Sequence, residues 1–71
     1  MINDPAETLL HELRGSPASL VKLVEEVRWR PLLHVVDVSA EAIIGWRTDD
    51  PRAWRLVLEW LTAMDVEVSV N

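Results

Sequence analysis

This 71-residue chain contains three prolines that each follow a helix-capping residue, at Asp4-Pro5, Ser16-Pro17 and Asp50-Pro51. Proline suits the first position of a helix, because the N–H group that it lacks would have no helical partner there. The Asp or Ser before it accepts hydrogen bonds from the first turn. We therefore predict three helix starts in one small helical domain that spans residues 1–71.

Apolar residues recur at helical spacing after each of these starts, and Ser39 resembles a fourth N-cap. The pattern predicts helices over residues 5–14, 17–28, 40–47 and 51–64. The tail instead alternates Val66, Val68 and Val70 with Glu67 and Ser69, which is typical of a half-buried strand. A strand needs a hydrogen-bonding partner, either residues 32–38 of the same chain or the same tail of a second copy.

Residues 32–38, Leu-Leu-His-Val-Val-Asp-Val, fit two structures. The three valines favour a strand, but a short apolar run fits a short helix equally well. Paired with residues 66–70, the segment would give an α+β domain flanked by helices. As a helix, it would complete a mainly α domain.

The last predicted helix is apolar on almost every side, since only Arg52, Arg55, Glu59 and Thr62 form a polar stripe. An ordinary surface helix buries a narrower face, so this helix is either central or also contacts a second chain. We predict that Trp54 and Trp60 are buried and that Trp29, between charged neighbours, is exposed. Candidate partner or dimer contacts are Trp29, Leu56, Trp60, Val66, Val68 and Val70.

The sequence lacks the usual patterns of catalytic, metal and cofactor sites. It has no cysteine and no Gly-rich loop, and His11 and His34 stand apart from other ligand residues. Helix capping explains Asp49-Asp50 without acid–base chemistry. We predict no enzyme, no catalytic residue, no metal and no cofactor. The N-terminus has no signal-peptide pattern and no run is long enough to span a bilayer, so we expect a cytoplasmic protein without membrane contact.

Residues 38–46, Val-Ser-Ala-Glu-Ala-Ile-Ile-Gly-Trp, resemble the turn and second helix of the lambda-repressor-like helix-turn-helix family, with the resemblance extending over residues 29–64. It implies a compact bundle of four to five short helices with a helix-turn-helix-like core and a short C-terminal β-strand. Residues 32–36 would be the first helix of the motif. The implied DNA contacts are Ser39, Glu41, Arg47, Thr48 and Arg52.

Two functions follow from these observations. The resemblance implies a small regulator that binds DNA, as a homodimer joined through its C-terminal strands. The alternative is an acidic protein–protein interaction module, which the net charge of −5 and the lack of Arg, Lys, Asn and Gln at the positions implied to face the major groove support. Such a module would be antitoxin-, adaptor- or inhibitor-like, with the helical scaffold but without DNA binding. We place DNA binding first because it rests on a specific sequence pattern.

Overall fold

The computed structural model describes residues 4–71, and the first three residues lie outside that range. Its elements follow the order α1 (Pro5–Glu12), α2 (Ala18–Arg28), β1 (Val35–Val38), α3 (Ala40–Asp49), α4 (Pro51–Ala63) and β2 (Glu67–Val70). The predicted mainly helical fold with a short C-terminal strand is confirmed, and α4 is the central helix, packing against α1, α3 and β2.

The helix capping predicted from sequence is confirmed at three of four starts. Asp4, Ser39 and Asp50 accept hydrogen bonds from the backbone N–H groups of Ala6, Ala42 and Ala53. The start of α2 was predicted wrongly, because Pro17 occupies the N-cap position and no side chain caps this helix. The Ser16 hydroxyl donates instead to Asp50, the residue between α3 and α4.

The helix that the family resemblance implies at residues 32–36 is wrong, because the backbone is extended over Val35–Val38. These residues pair in parallel with β2, in the register Val36 to Val68 and Val38 to Val70. The α+β alternative is therefore confirmed for the pairing of these segments. Valine fits the pleated surface of a sheet. The local periodicity of residues 32–38 could not predict the strand, because its pairing partner lies far along the chain.

One apolar core joins all six elements. The sheet contributes Val36 and Val38, Val68 packs against the same core, and Val66, just before β2, is buried in it. Trp54 and Trp60 are buried and Trp29 is 72% exposed, as predicted. The fully buried large side chains are Leu13, Leu20, Val24, Val27, Val57 and Leu61.

Two turns require a backbone with positive φ. Gly15, with φ of 86°, follows α1, and Asp65, with φ of 60°, follows α4. After α4 the Asp65 N–H donates to the Thr62 carbonyl and the Val66 N–H donates to the Leu61 carbonyl. This is the Schellman arrangement, which satisfies the last carbonyls of a helix and here turns the chain from α4 into β2.

Candidate functional site

A groove runs between α3 and α4, two helices joined at Asp50. Their packing is fixed by Trp46 and Trp54, whose ring centroids lie 5.4 Å apart at an interplanar angle of 32°. The indole N–H of Trp46 donates a 2.9 Å hydrogen bond to the Ser19 hydroxyl on α2. Because both rings are anchored in the interior, the outer edges of the two helices stay at a fixed separation.

The groove has a volume of about 500 Å³ and is lined by Ile43, Arg47, Pro51, Trp54, Arg55 and Leu58. Trp54 is almost completely buried, so the groove exposes only a small part of its ring. Leu58 remains 40% exposed, and Ile44, on the adjoining surface of α3, is 63% exposed. Apolar side chains thus make up most of the lining, and the two arginines are its only charged members.

Neither arginine of the groove has an ion-pair partner within residues 4–71. The ion pairs within residues 4–71 involve Arg28, with Asp4 and Glu7, and Arg52, with Glu12. Neither Arg47 nor Arg55 takes part in one. Glu59 lies one turn after Arg55 on α4, but outside ion-pair distance. The lining of the groove therefore carries two positively charged side chains and no negatively charged one, on a chain whose net charge is −5.

Three of the five residues implied as DNA contacts, Ser39, Thr48 and Arg52, already form side-chain interactions within residues 4–71. Ser39 caps α3, and the Thr48 hydroxyl donates a 2.8 Å hydrogen bond to the Ile44 carbonyl of its own helix. Glu41 is exposed in the first turn of α3 and carries negative charge. Arg47 lines the groove, whereas Arg52 forms an ion pair with Glu12 of α1 at 3.3 Å.

The residues predicted to contact a partner lie in different parts of the molecule. Trp60 and Val66 are buried in the chain's own core, which leaves little of either side chain exposed. Leu56 is half-buried against the core, while Val68 and Val70 belong to β2. Trp29 lies elsewhere, beside a cleft of about 240 Å³ formed with Pro5, Arg28 and Met64.

Sequence reasoning missed Ile43, Ile44, Arg55 and Leu58 as parts of a candidate site. The available signal was the spacing of Arg55 and Leu58 at the border between the polar stripe and the apolar face of α4. The packing position of α3 decides which border of the polar stripe on α4 lines a groove, and the sequence of α4 does not contain that information. Leu56, chosen from the same helix, lies at the opposite border.

Within residues 4–71, no group of three or more His, Cys, Asp or Glu side chains could hold a metal ion. Nor does any helix in this range have the length and apolarity required to cross a bilayer. Comparison of the chain with models of protein families, with curated proteins and with solved structures finds no match.

Proposed function

We propose that this protein is a protein–protein interaction module that docks an acidic amphipathic helix in the α3–α4 groove. The observation that carries the proposal is a groove lined by four apolar side chains and by two arginines without ion-pair partners in residues 4–71. A groove between two helices is a common receptor for the apolar face of a third helix.

Each part of the groove has a separate role in this proposal. Burying the exposed parts of Leu58 and Ile43 under a partner's apolar side chains supplies affinity. Full burial of an exposed leucine side chain is worth about 1.5–3 kcal/mol, and Leu58, which is 40% exposed, gains only a fraction of that. Arg47 and Arg55 lie beside the apolar strip and attract carboxylates on the partner's flanks. Such charges at the rim increase the association rate and select against basic partners more than they add affinity.

DNA binding is the second candidate, and the same arginines support it. It is less well supported because residues 35–38 form a strand where the helix-turn-helix motif requires a helix. The remaining implied contacts include a carboxylate, Glu41, and two hydroxyls that already bond to the backbone of α3. Arg47 and Arg55 bound to phosphates would show no preference for sequence.

A designed peptide tests the proposal directly. The probe is a helical peptide of about 20 residues, roughly 30 Å long, with leucines at helical spacing and glutamates on the remaining positions. Its controls are a peptide of identical composition without the apolar stripe, a lysine version, and random-sequence duplex DNA. Binding is followed by calorimetry and by the backbone NMR signals of the protein.

The proposal predicts binding of the acidic striped peptide alone, with signal shifts centred on Ile43, Trp54 and Leu58. Arg47→Glu with Arg55→Glu should weaken it about tenfold or more, because attraction becomes repulsion. The matched control, Arg14→Glu with Arg30→Glu, changes the net charge equally at two exposed arginines outside the groove and should have little effect. Binding of the DNA but not the peptide would favour the second candidate. Binding of neither, or shifts elsewhere, would overturn the docking proposal.

A further inference from the structure

The two-stranded sheet is incomplete as an isolated unit. Within residues 4–71, β1 and β2 pair only with each other, and the helices cover one face of the pair. Parallel sheets normally have both faces covered and more strands, and a two-stranded sheet is only marginally stable in water. Each strand of the pair therefore has one edge without a strand partner within residues 4–71.

The hydrogen bonds at the ends of the ladder show which groups face outward. The N–H groups of Glu67 and Asn71 donate to the His34 and Val38 carbonyls, at 2.8 and 3.0 Å. Because backbone groups alternate in direction along a strand, the N–H and C=O groups of Val68 and Val70 point away from β1. Neither of these N–H groups donates to another part of residues 4–71 outside the sheet. Val70 is also 57% exposed.

We propose that a second copy of this chain adds its β2 antiparallel to this edge, with the two-fold axis at Val68. Val68 of each copy then exchanges both backbone hydrogen bonds with Val68 of the other, because these groups face the open edge. The product is an isologous dimer in which the two strands of each copy form one continuous sheet, in the order β1-β2-β2-β1.

The sequence of β2 is complementary to itself in this register. On the face toward the core, Val66 lies opposite Val70 and Val68 opposite Val68. On the other face, Glu67 lies opposite Ser69, so each carboxylate meets a hydroxyl and not a second carboxylate. A two-fold axis at Glu67 would place like charges directly opposite each other, which is destabilising. A shift by one residue would set core-facing valines against outward polar side chains.

The outer edge of β1 is a poorer match for self-pairing. Its outward backbone groups belong to Val35 and Asp37, since the even-numbered residues bond to β2. A two-fold axis at Asp37 would place two carboxylates opposite each other. A two-fold axis at Val36 would place Val35 of one copy opposite Asp37 of the other. The geometry therefore selects β2 as the dimer edge, independently of whether the α3–α4 groove binds a partner.

Mass measurement of the unmodified protein gives the first test. Analytical ultracentrifugation from micromolar to millimolar concentration should show a reversible change from one to two copies. Val70→Pro removes an outward N–H and leaves in place every N–H that donates to β1, so it should abolish the dimer. Circular dichroism should show that the helices of the variant remain, and NMR that its β1–β2 contacts remain. Arg47→Glu with Arg55→Glu should leave the dimer intact, which separates this inference from the docking proposal. A monomer throughout the concentration range would overturn it.

Disulfide trapping tests the register without depending on the proline variant. The chain has no cysteine, so chains carrying Glu67→Cys and chains carrying Ser69→Cys can be mixed and oxidised. Opposed positions of a non-hydrogen-bonded pair lie about 4.5 Å apart, which is within disulfide reach. The mixed disulfide between Glu67→Cys and Ser69→Cys chains should form in several-fold excess over the disulfide homodimer of either chain. It should also exceed the mixed disulfide formed when either chain is oxidised with chains that carry Cys at the exposed position of Glu25 (Glu25→Cys). Equal yields of all products would contradict the proposed register.

Discussion

The hydroxyl of Ser16 donates a 2.9 Å hydrogen bond to Asp50 Oδ2, joining the turn between α1 and α2 to the corner between α3 and α4. Asp50 Oδ1 accepts the N–H of Ala53 at 3.2 Å and caps α4. One carboxylate therefore starts the central helix and fixes the two helical pairs to each other. The groove between α3 and α4 depends on this corner.

Loss of the Asp50 carboxylate should destabilise the fold more than loss of the Ser16 hydroxyl. We expect Asp50→Ala to lower the free energy of unfolding by about 2 kcal/mol and Ser16→Ala by about 1 kcal/mol, since Asp50→Ala removes both bonds. Urea denaturation measures both. Asp49→Ala, at the exposed end of α3, is the control and should change stability by less than about 0.5 kcal/mol. Full additivity of Ser16→Ala and Asp50→Ala would show that the two residues are not coupled.

Two buried tryptophans differ in the hydrogen bonding of their indole N–H groups. Trp46 Nε1 bonds to Ser19, whereas Trp60 Nε1 is buried without a partner in residues 4–71. Trp→Phe removes similar packing at both sites, but at Trp60 it also removes an unsatisfied donor, whose burial costs about 1–3 kcal/mol. We expect Trp60→Phe to be the less destabilising change by about 1 kcal/mol, measured by denaturation. Equal losses would mean that the Trp60 N–H is satisfied in solution.

The turn after α4 places an aspartate in a conformation that glycine adopts more easily. Asp65 has φ of 60° and its carboxylate lies at the C-terminal, negative end of the helix dipole. Asp65→Gly should raise the free energy of unfolding by about 0.5 kcal/mol, and Asp65→Val should lower it by about 1–2 kcal/mol. Thermal unfolding gives both. Gly15→Ala, at φ of 86° with open space around the new Cβ, should be destabilising through the backbone alone. A stabilising Asp65→Val would contradict the conformational argument.

Much of the helical architecture could be predicted from local sequence. Asp4, Ser39 and Asp50 were recognisable as caps because capping involves residues only a few positions apart. Ser16 shows the limit of the same reasoning, since its hydroxyl bonds to Asp50, 34 positions later. The strand at Val35–Val38 lay beyond local reasoning as well, because its stability comes from pairing with Glu67–Val70.

The candidate site was only partly predictable. Arg47 was identified, but for a DNA contact that the resemblance implied. Arg55 and Leu58 were recognised as parts of α4 without a role, because the packing of α3 decides which border of that helix forms a groove. Trp60 and Val66, which sequence placed at an interface, are buried in the core, because their positions depend on how α4 and β2 pack.

Salt and truncation should act on different rate constants of peptide docking at the groove. Attraction of an acidic helix to Arg47 and Arg55 operates before contact, so raising the salt concentration should lower the association rate and leave the dissociation rate nearly unchanged. Leu58→Ala removes apolar contact within the complex, and should mainly raise the dissociation rate. Stopped-flow measurement of the intrinsic tryptophan fluorescence reports both, since Trp54 lies at the groove. Leu32→Ala, at a highly exposed leucine outside the groove, is the matched control and should leave both rates as they are. An association rate independent of salt would show that the two arginines do not attract the incoming helix.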